Sequence, residues 1–258
     1  MNGGKTTGYK KVRGNFMNFF KKILSAHLII IIFSLICSCG PKHLIKDDVV
    51  YKDDNFNYDS LISHGAIIGG IGSKEISFSN EERVKYSSLL SNILTEHRTA
   101  VNFITTSQLM DKIGVEFYFT IMKKYDEHQR LILKDVRVIR DSIPEIGYII
   151  MAYIKNETTS NTSYTDETEN EDGKYETVNE SIRALTIEFR IYDIFREKMV
   201  WNNRIYDEAK RVETSNSDSI GGTIVNDLFF GAFRRVEREA VLKEIYKKFT
   251  MDLVAIRN

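Results

Sequence analysis

Lys21 and Lys22 open onto an almost unbroken apolar run, Ile23 to Ile36, which ends in Cys37-Ser38-Cys39-Gly40. A positive start, an apolar centre and a small-residue end are the three parts of a secretory signal. Lys5, Lys10, Lys11, Arg13, Lys21 and Lys22 precede the run, and the first acidic residue is Asp47. That bias holds the start on the cytoplasmic side. Only Ser25, His27 and Ser34 interrupt the centre. At roughly 14 residues the run is shorter than the roughly 20 that a spanning helix needs, so it reads as a signal core. The competing reading is an uncleaved anchor helix with incidental cysteines. Met17 opens a signal of more ordinary length than Met1 does.

Ile36-Cys37-Ser38-Cys39 resembles the lipobox of bacterial lipoproteins: an aliphatic residue, a free position, a small residue, then cysteine. The resemblance implies that the Cys39 thiol carries diacylglycerol. It also implies cleavage between Ser38 and Cys39, so that residues 1–38 are a removed signal peptide. Cys37 is a poorer candidate, because Ile36 is too bulky for the small position. Each buried methylene contributes about 0.8 kcal/mol, so two or three chains hold a protein stably on a bilayer. Gly40 is not the aspartate that marks inner-membrane retention in such lipoproteins. The expected location is therefore the cell envelope, on the periplasmic side of the outer membrane.

From Cys39 onward about 220 residues remain, enough for one large domain with a sizeable core. The whole chain balances 36 basic against 36 acidic residues. Removal of the basic signal leaves the rest mildly acidic, with no basic stripe for nucleic acid. With Cys37 removed and Cys39 acylated, no thiol remains for a disulfide or a metal. Two prolines, 15 phenylalanines and 13 tyrosines favour an ordered fold.

Residues 39–58 read as a polar tether (KDD, KDDNFNYD), and 59–258 as a single α/β domain. Ala66–Ile68 followed by Gly69, Gly70 and Gly72 reads as a strand entering a tight loop; Gly72-Ser73-Lys74 lacks the Walker ending of a phosphate loop. Ser79 and Glu82 form a capping-box signal for a helix to His97. A short strand is expected over Ala100–Thr105, then a helix capped by Thr106 or Ser107. Helical pattern from Val115 to Ile139 breaks near Asp126–His128. Gly147–Ile154 is apolar on both faces and reads as a central strand. Asn156–Glu180 reads as a disordered acidic loop; Asp166, Glu169 and Asp172 do not match calcium-loop spacing. Ile182–Ile194 alternates strictly, with Leu185, Ile187, Phe189 and Ile191 inward and Thr186, Glu188, Arg190 and Tyr192 wet. Met199–Tyr206 is its hairpin partner, with Trp201 in the core. A flexible loop is expected over Ser215–Gly222, and a long closing helix over Val225–Thr250, with Phe229, Phe233, Val236, Ala240 and Ile245 inward.

The expected fold class is α/β (α+β): a mixed sheet of about five strands with a long late hairpin, packed by helices that include the C-terminal one. That order, with Ala66–Ile68 before Ser79–His97 and Lys198-Met-Val-Trp201 opening the hairpin return, resembles a periplasmic α/β domain found in several families. They are the curli-secretion-channel lipoproteins, the lipoprotein activators of penicillin-binding proteins, and the N-terminal domain of the Tol-system propeller protein. The resemblance runs from Gly65 to Tyr206. The helical insert at Val115–Ile139 and the acidic loop depart from it, and no functional residue transfers.

The five histidines, His27, His43, His64, His97 and His128, have no HExxH spacing, and no serine sits in GxSxG. The sequence therefore predicts a non-enzymatic, membrane-anchored envelope lipoprotein without cofactor or metal, docking an envelope protein partner. An oligomeric secretion-channel subunit is the alternative, and a periplasmic enzyme the third reading.

Overall fold

A computed structural model of the chain describes residues 40–166, 175–217 and 235–256. Its elements, in chain order, are β1 (Lys42–Lys52), α1 (Tyr58–His64), β2 (Ala66–Ser73), α2 (Asn80–His97), β3 (Phe103–Ile104) and α3 (Thr106–Ile113), then α4 (Val115–His128), α5 (Leu133–Ser142), β4 (Tyr148–Asp166), β5 (Tyr175–Asp193), β6 (Lys198–Ser217) and α6 (Arg238–Ala255). The strands form one six-stranded sheet in the order β1-β6-β5-β4-β2-β3. β2 runs parallel to β3 and β4, and the other pairs are antiparallel.

Local chemistry sets the helix starts. Ser79 and Glu82 cap α2 reciprocally, each backbone N–H donating to the other's side chain at 3.1 Å. Thr105, one residue earlier than expected, does the same for α3 with Gln108. Each such cap removes two orphan donors from a helix terminus.

β4 fixes the layers. Its residues Tyr148 to Ile154 are all at most 7% exposed, so both faces need helices. On one face Ile150, Ala152 and Ile154 join Ile68, Ile71, Leu185, Ile187, Phe189, Ile191, Trp201 and Ile205 under α1, α2 and α6. There Phe189 stacks on Phe249 with ring centroids 3.9 Å apart, and Trp201 follows at 5.6 Å. On the other face Ile149, Met151 and Tyr153 pack against Tyr118, Met122 and Tyr125 of α4 and Val136 and Ile139 of α5. The first layer reaches across to β6. The second reaches only the opening of β6, at Met199.

Several expectations are corrected. The sheet has six strands, and the sixth is β1, formed from the segment expected to be a tether. Its residues are mostly exposed on both sides, so an edge strand hides no alternating apolar face for the sequence to reveal. The glycines after Ile68 do not end β2. They lie within it, wholly buried, with one extra residue at Gly69 relative to β4. Gly70 has φ 131°, and a Cβ on Gly72 would lie 2.6 Å from Cδ1 of Tyr125. The glycines are therefore bare backbone for aromatic rings to close on.

The acidic stretch is also largely strand: β4 continues to Asp166 and β5 resumes at Tyr175, paired residue for residue. Together with the end of β6 they form a three-stranded arm that projects from Leu185, about 33 Å long at a strand's rise. The root of the arm is fastened to α6. Glu157 accepts hydrogen bonds from Arg183 and, at 2.8–3.1 Å, from Arg238. The Val236 N–H donates to Ser181 Oγ at 3.0 Å. Residues 235–237 lie outside any helix, Glu237 being extended, and α6 begins only at Arg238, later than the expected Val225; Phe229 and Phe233 lie outside the described residues. Ser215–Ser217 end β6 rather than begin a loop.

Gly72→Ala is expected to destabilise the protein by about 1–3 kcal/mol through overpacking against Tyr125, read as a lower urea midpoint at unchanged slope. Glu157→Gln should cost about 2–3 kcal/mol, because it leaves two half-buried guanidiniums poorly paired. The same denaturation curve reports it.

Candidate functional site

Where the second helical layer ends over β5 and the start of β6, it leaves a ledge, and a cavity of about 770 Å³ lies under it. One wall is the turn between α4 and α5, with Leu131, Ile132, Leu133 and Val136. The other is the β5–β6 surface, with Arg190, Tyr192, Met199 and Asn202. The size falls within the range of about 300–1,000 Å³ usual for small-molecule sites.

The turn exists because Gln129 takes a left-handed conformation, φ 56°, and ends α4 with its N–H on the Tyr125 carbonyl. Among the described residues the only other non-glycine with positive φ is Glu197, φ 53°, and it also lines the cavity. Such backbone persists where the surroundings over-determine it, commonly at binding sites. Glu197 is held by Arg137 at 2.7 and 2.9 Å and by Arg140 at 3.1 Å. Lys155 donates to Gln129 Oε1 at 2.9 Å. The Leu131 N–H donates to the Tyr192 hydroxyl at 3.4 Å.

The floor is polar. Arg190 and Asn202 are direct cross-strand partners, so both project to this face. They are 8% and 7% exposed. Arg190 Nη2 donates to Glu188, whose other oxygen accepts from Arg204 at 2.8 Å. Arg190 Nη1 and Asn202 Oδ1 have no hydrogen-bond partner among the described residues. The Tyr125 hydroxyl is a close neighbour of the guanidinium, but the two form no well-shaped hydrogen bond. A buried donor or acceptor left unmet costs about 1–3 kcal/mol. Burial pushes the Tyr125 phenol far above its usual range, so it stays neutral beside Arg190.

Sequence reading placed Glu188, Arg190 and Tyr192 on a wet face. All three are buried, because the ledge and the neighbouring strands shield that part of the sheet. Their alternation showed that they share a face, but it carried no sign of how far α4 and α5 would reach over it. Asn202 offered no signal at all.

Other positions are internally engaged. The crevice at the end of β2, where α/β sheets often bind ligands, is bridged by Asp126, which accepts from the Ser73 N–H at 2.9 Å and pairs with Arg83 at 2.6 Å. His43 bonds the buried Asp207 at 2.6 Å, and His64 bonds its own helix at the Ser60 carbonyl. His97 ends α2, and His128 rims the cavity. Trp201 sits in the core, as expected. Ser38, Cys39 and His27 lie outside the described residues. Among the described residues no group of His, Cys, Asp or Glu could hold a metal ion, and no helix is long and apolar enough to cross a membrane.

No family model matches this chain, and no curated protein matches it. Solved structures give distant likenesses. The PelC dodecamer from Paraburkholderia phytofirmans is 9% identical at a TM-score of 0.30, over 81% of this chain and 98% of that one. A minor lipoprotein from Acinetobacter baumannii is 9% identical at 0.30, over 76% and 97%. The hypothetical protein CT253 from Chlamydia trachomatis is 10% identical at 0.32, over 74% and 92%. At superpositions this loose the likeness carries nothing about role.

Burial works to raise the Glu188 carboxyl, but the bonds from Arg204 and Arg190 outweigh it and hold the group below its ordinary value of 4.5. Its contribution to stability is therefore complete above pH 4.5 and disappears as pH falls through the lower folded value. Glu188→Gln should flatten the acid limb of a stability-against-pH curve from urea melts, and leave the slope near neutrality unchanged.

Proposed function

We propose that this chain is an envelope lipoprotein, held on a membrane by acyl chains on Cys39, whose folded domain binds rather than catalyses. The observation that carries the reading is the run Ile23–Ile36 ending in Ser38-Cys39, with β1 beginning at Lys42. Three peptide links separate Cys39 from β1, about 10 Å at full extension. An acyl-anchored domain of this kind works next to the bilayer surface, and a partner must come to it there. Gly40 after the cysteine favours the periplasmic side of the outer membrane.

The cavity supports binding over catalysis. Its lining offers one imidazole, His128, and one carboxylate, Glu197, and that carboxylate is already engaged by two arginines. A secretion-channel subunit would need strands with an apolar face turned to lipid. Among the described residues the arm has no continuous one: Glu157, Thr159, Asn161 and Ser163 occupy one side of β4, and on the other Tyr164, Val178, Ile182 and Val212 are interleaved with Thr158, Ser160, Thr162, Glu180 and Lys210.

Labelled palmitate should appear in the wild-type protein and in Cys37→Ala, and be absent from Cys39→Ala, which should also leave the membrane fraction. Label retained in Cys39→Ala would sink the anchoring. Crosslinking in the native envelope should recover a partner protein, and recovery of free monomer alone would count against the docking role.

A further inference from the structure

β1 is the outer strand of the sheet, and among the described residues it pairs on one side only, with β6. Its eleven residues leave backbone N–H and C=O groups turned outward, which is a template for a further strand. The opposite edge of the sheet is blunted by shortness, because β3 has two residues. β1 has no such protection, and Leu44, Val49, Val50 and Tyr51 along it are exposed. Lysines on an edge strand commonly ward off pairing. Here their order relative to the aspartates selects one pairing instead. When a second copy adds antiparallel about a two-fold axis perpendicular to the sheet, opposed residues share a face, and like charges directly opposite are destabilising. The regular stretch of β1 is Lys42–Val49, ahead of the bulge at Val50. An axis at Leu44 sets Lys42 against Lys46 of the second copy. An axis at Lys46 sets the two copies of Lys46 together, and one at Asp47 the two copies of Asp47. Only an axis at Ile45 opposes no like charges over such a length. It sets Lys42 against Asp48, His43 against Asp47, and Leu44 against the aliphatic stem of Lys46.

We propose that β1 is a self-association edge: two copies of this chain join antiparallel through Lys42–Asp48 of each, about a two-fold axis at Ile45, and their two six-stranded sheets become one. The two Ile45 side chains meet on the face covered by α6, where each already packs partly buried against the larger core. His43 bonds Asp207, and Asp47 pairs with Lys248 at 2.8 Å. The meeting of His43 with Asp47 therefore links these two pairs across the axis. The axis leaves both Lys42 ends at one level along it, so that both chains reach the same bilayer. So short a strand pair makes a small interface, and association of soluble chains should be weak, with a dissociation constant on the order of 10 µM.

The pairing is tested without the lipid, so its outcome is separate from palmitate labelling at Cys39. The mature chain from residue 39 is used with Cys39→Ser, since both apolar cores lie within residues 56–256. Sedimentation velocity should show a monomer–dimer equilibrium and nothing larger. Lys42→Glu and Asp48→Lys should each weaken it by about tenfold, because each sets like charges together at both ends of the strand pair. Mixed in equal amounts, the two variants should recover most of the wild-type association, since the mixed dimer has unlike charges at both ends. On mild oxidation Ile45→Cys should give a disulfide-linked dimer and Val49→Cys should not. The axis sets the two copies of residue 45 side by side and those of residue 49 about 26 Å apart. Thermal melts identify any variant that fails to fold, and the mixing and the crosslinking each carry the test alone. A wild-type chain still monomeric at about ten times the expected constant, a mixture no tighter than its components, or equal crosslinking at residues 45 and 49 would overturn the proposal. So would β1 amides protected from hydrogen exchange only when envelope extract is added, which would put a foreign strand on this edge.

Discussion

The fold rests on the burial of β4 from both sides. Seven consecutive residues, Tyr148–Ile154, cannot be left facing water on either surface, so helices must cover both. The helical material available is unequal. α2 and α6 are long and lie on one face with α1, whereas α3, α4 and α5 are shorter and gather over β2 and β4 on the other. The sheet therefore outruns its second layer, and β5 and β6 carry polar side chains where that layer ends. The cavity follows from this mismatch in width. Its polar floor marks where apolar packing stops being supplied, and the arginine–glutamate–arginine chain across Arg190, Glu188 and Arg204 is how the sheet tolerates charge there.

The seam between β6 and α6 meets the same difficulty differently. Asp207 and Asn203 are fully buried on the well-covered face, and each takes a side-chain partner from a neighbouring element: His43 on β1 for Asp207, Asp252 on α6 for Asn203. Burial raises the Asp207 carboxyl above its ordinary value, against the pull of His43. The His43 bond ties down β1, which has little apolar surface of its own to hold it, and the Asn203 bond joins β6 to α6. Polar groups thus position the first strand on one face and furnish an open site on the other.

Much of the architecture was legible from the chain. The Ser79–Glu82 pair announced α2 because a capping box is a local device that needs no tertiary help. Gly147–Ile154 announced a central strand because burial on both faces leaves no polar alternation. β1 was not legible, since an edge strand exposed on both sides looks like a polar linker. The acidic stretch misled for a related reason. Its strands are stabilised by pairing with β5 and by the Glu157–Arg238 clamp, and neither leaves a hydrophobic period. The glycines of β2 read as a turn because sequence shows missing side chains, but not the aromatic rings of α4 that fill the space. Arg190 and Asn202 fall in the same class. Their importance comes from where a helical layer ends, a distance set by tertiary packing.

The arm has a mechanical consequence. The arm is clothed mainly in hydroxyls and charges on its outer strand β4, whereas Thr177 and Ser181 of its middle strand are buried. Its strands are continuous with those of the core, and its base is bolted through Glu157 to the opening turn of α6. A load on the described part of the arm is therefore carried to that helix, which also bears Phe249 of the aromatic stack with Phe189 and Trp201.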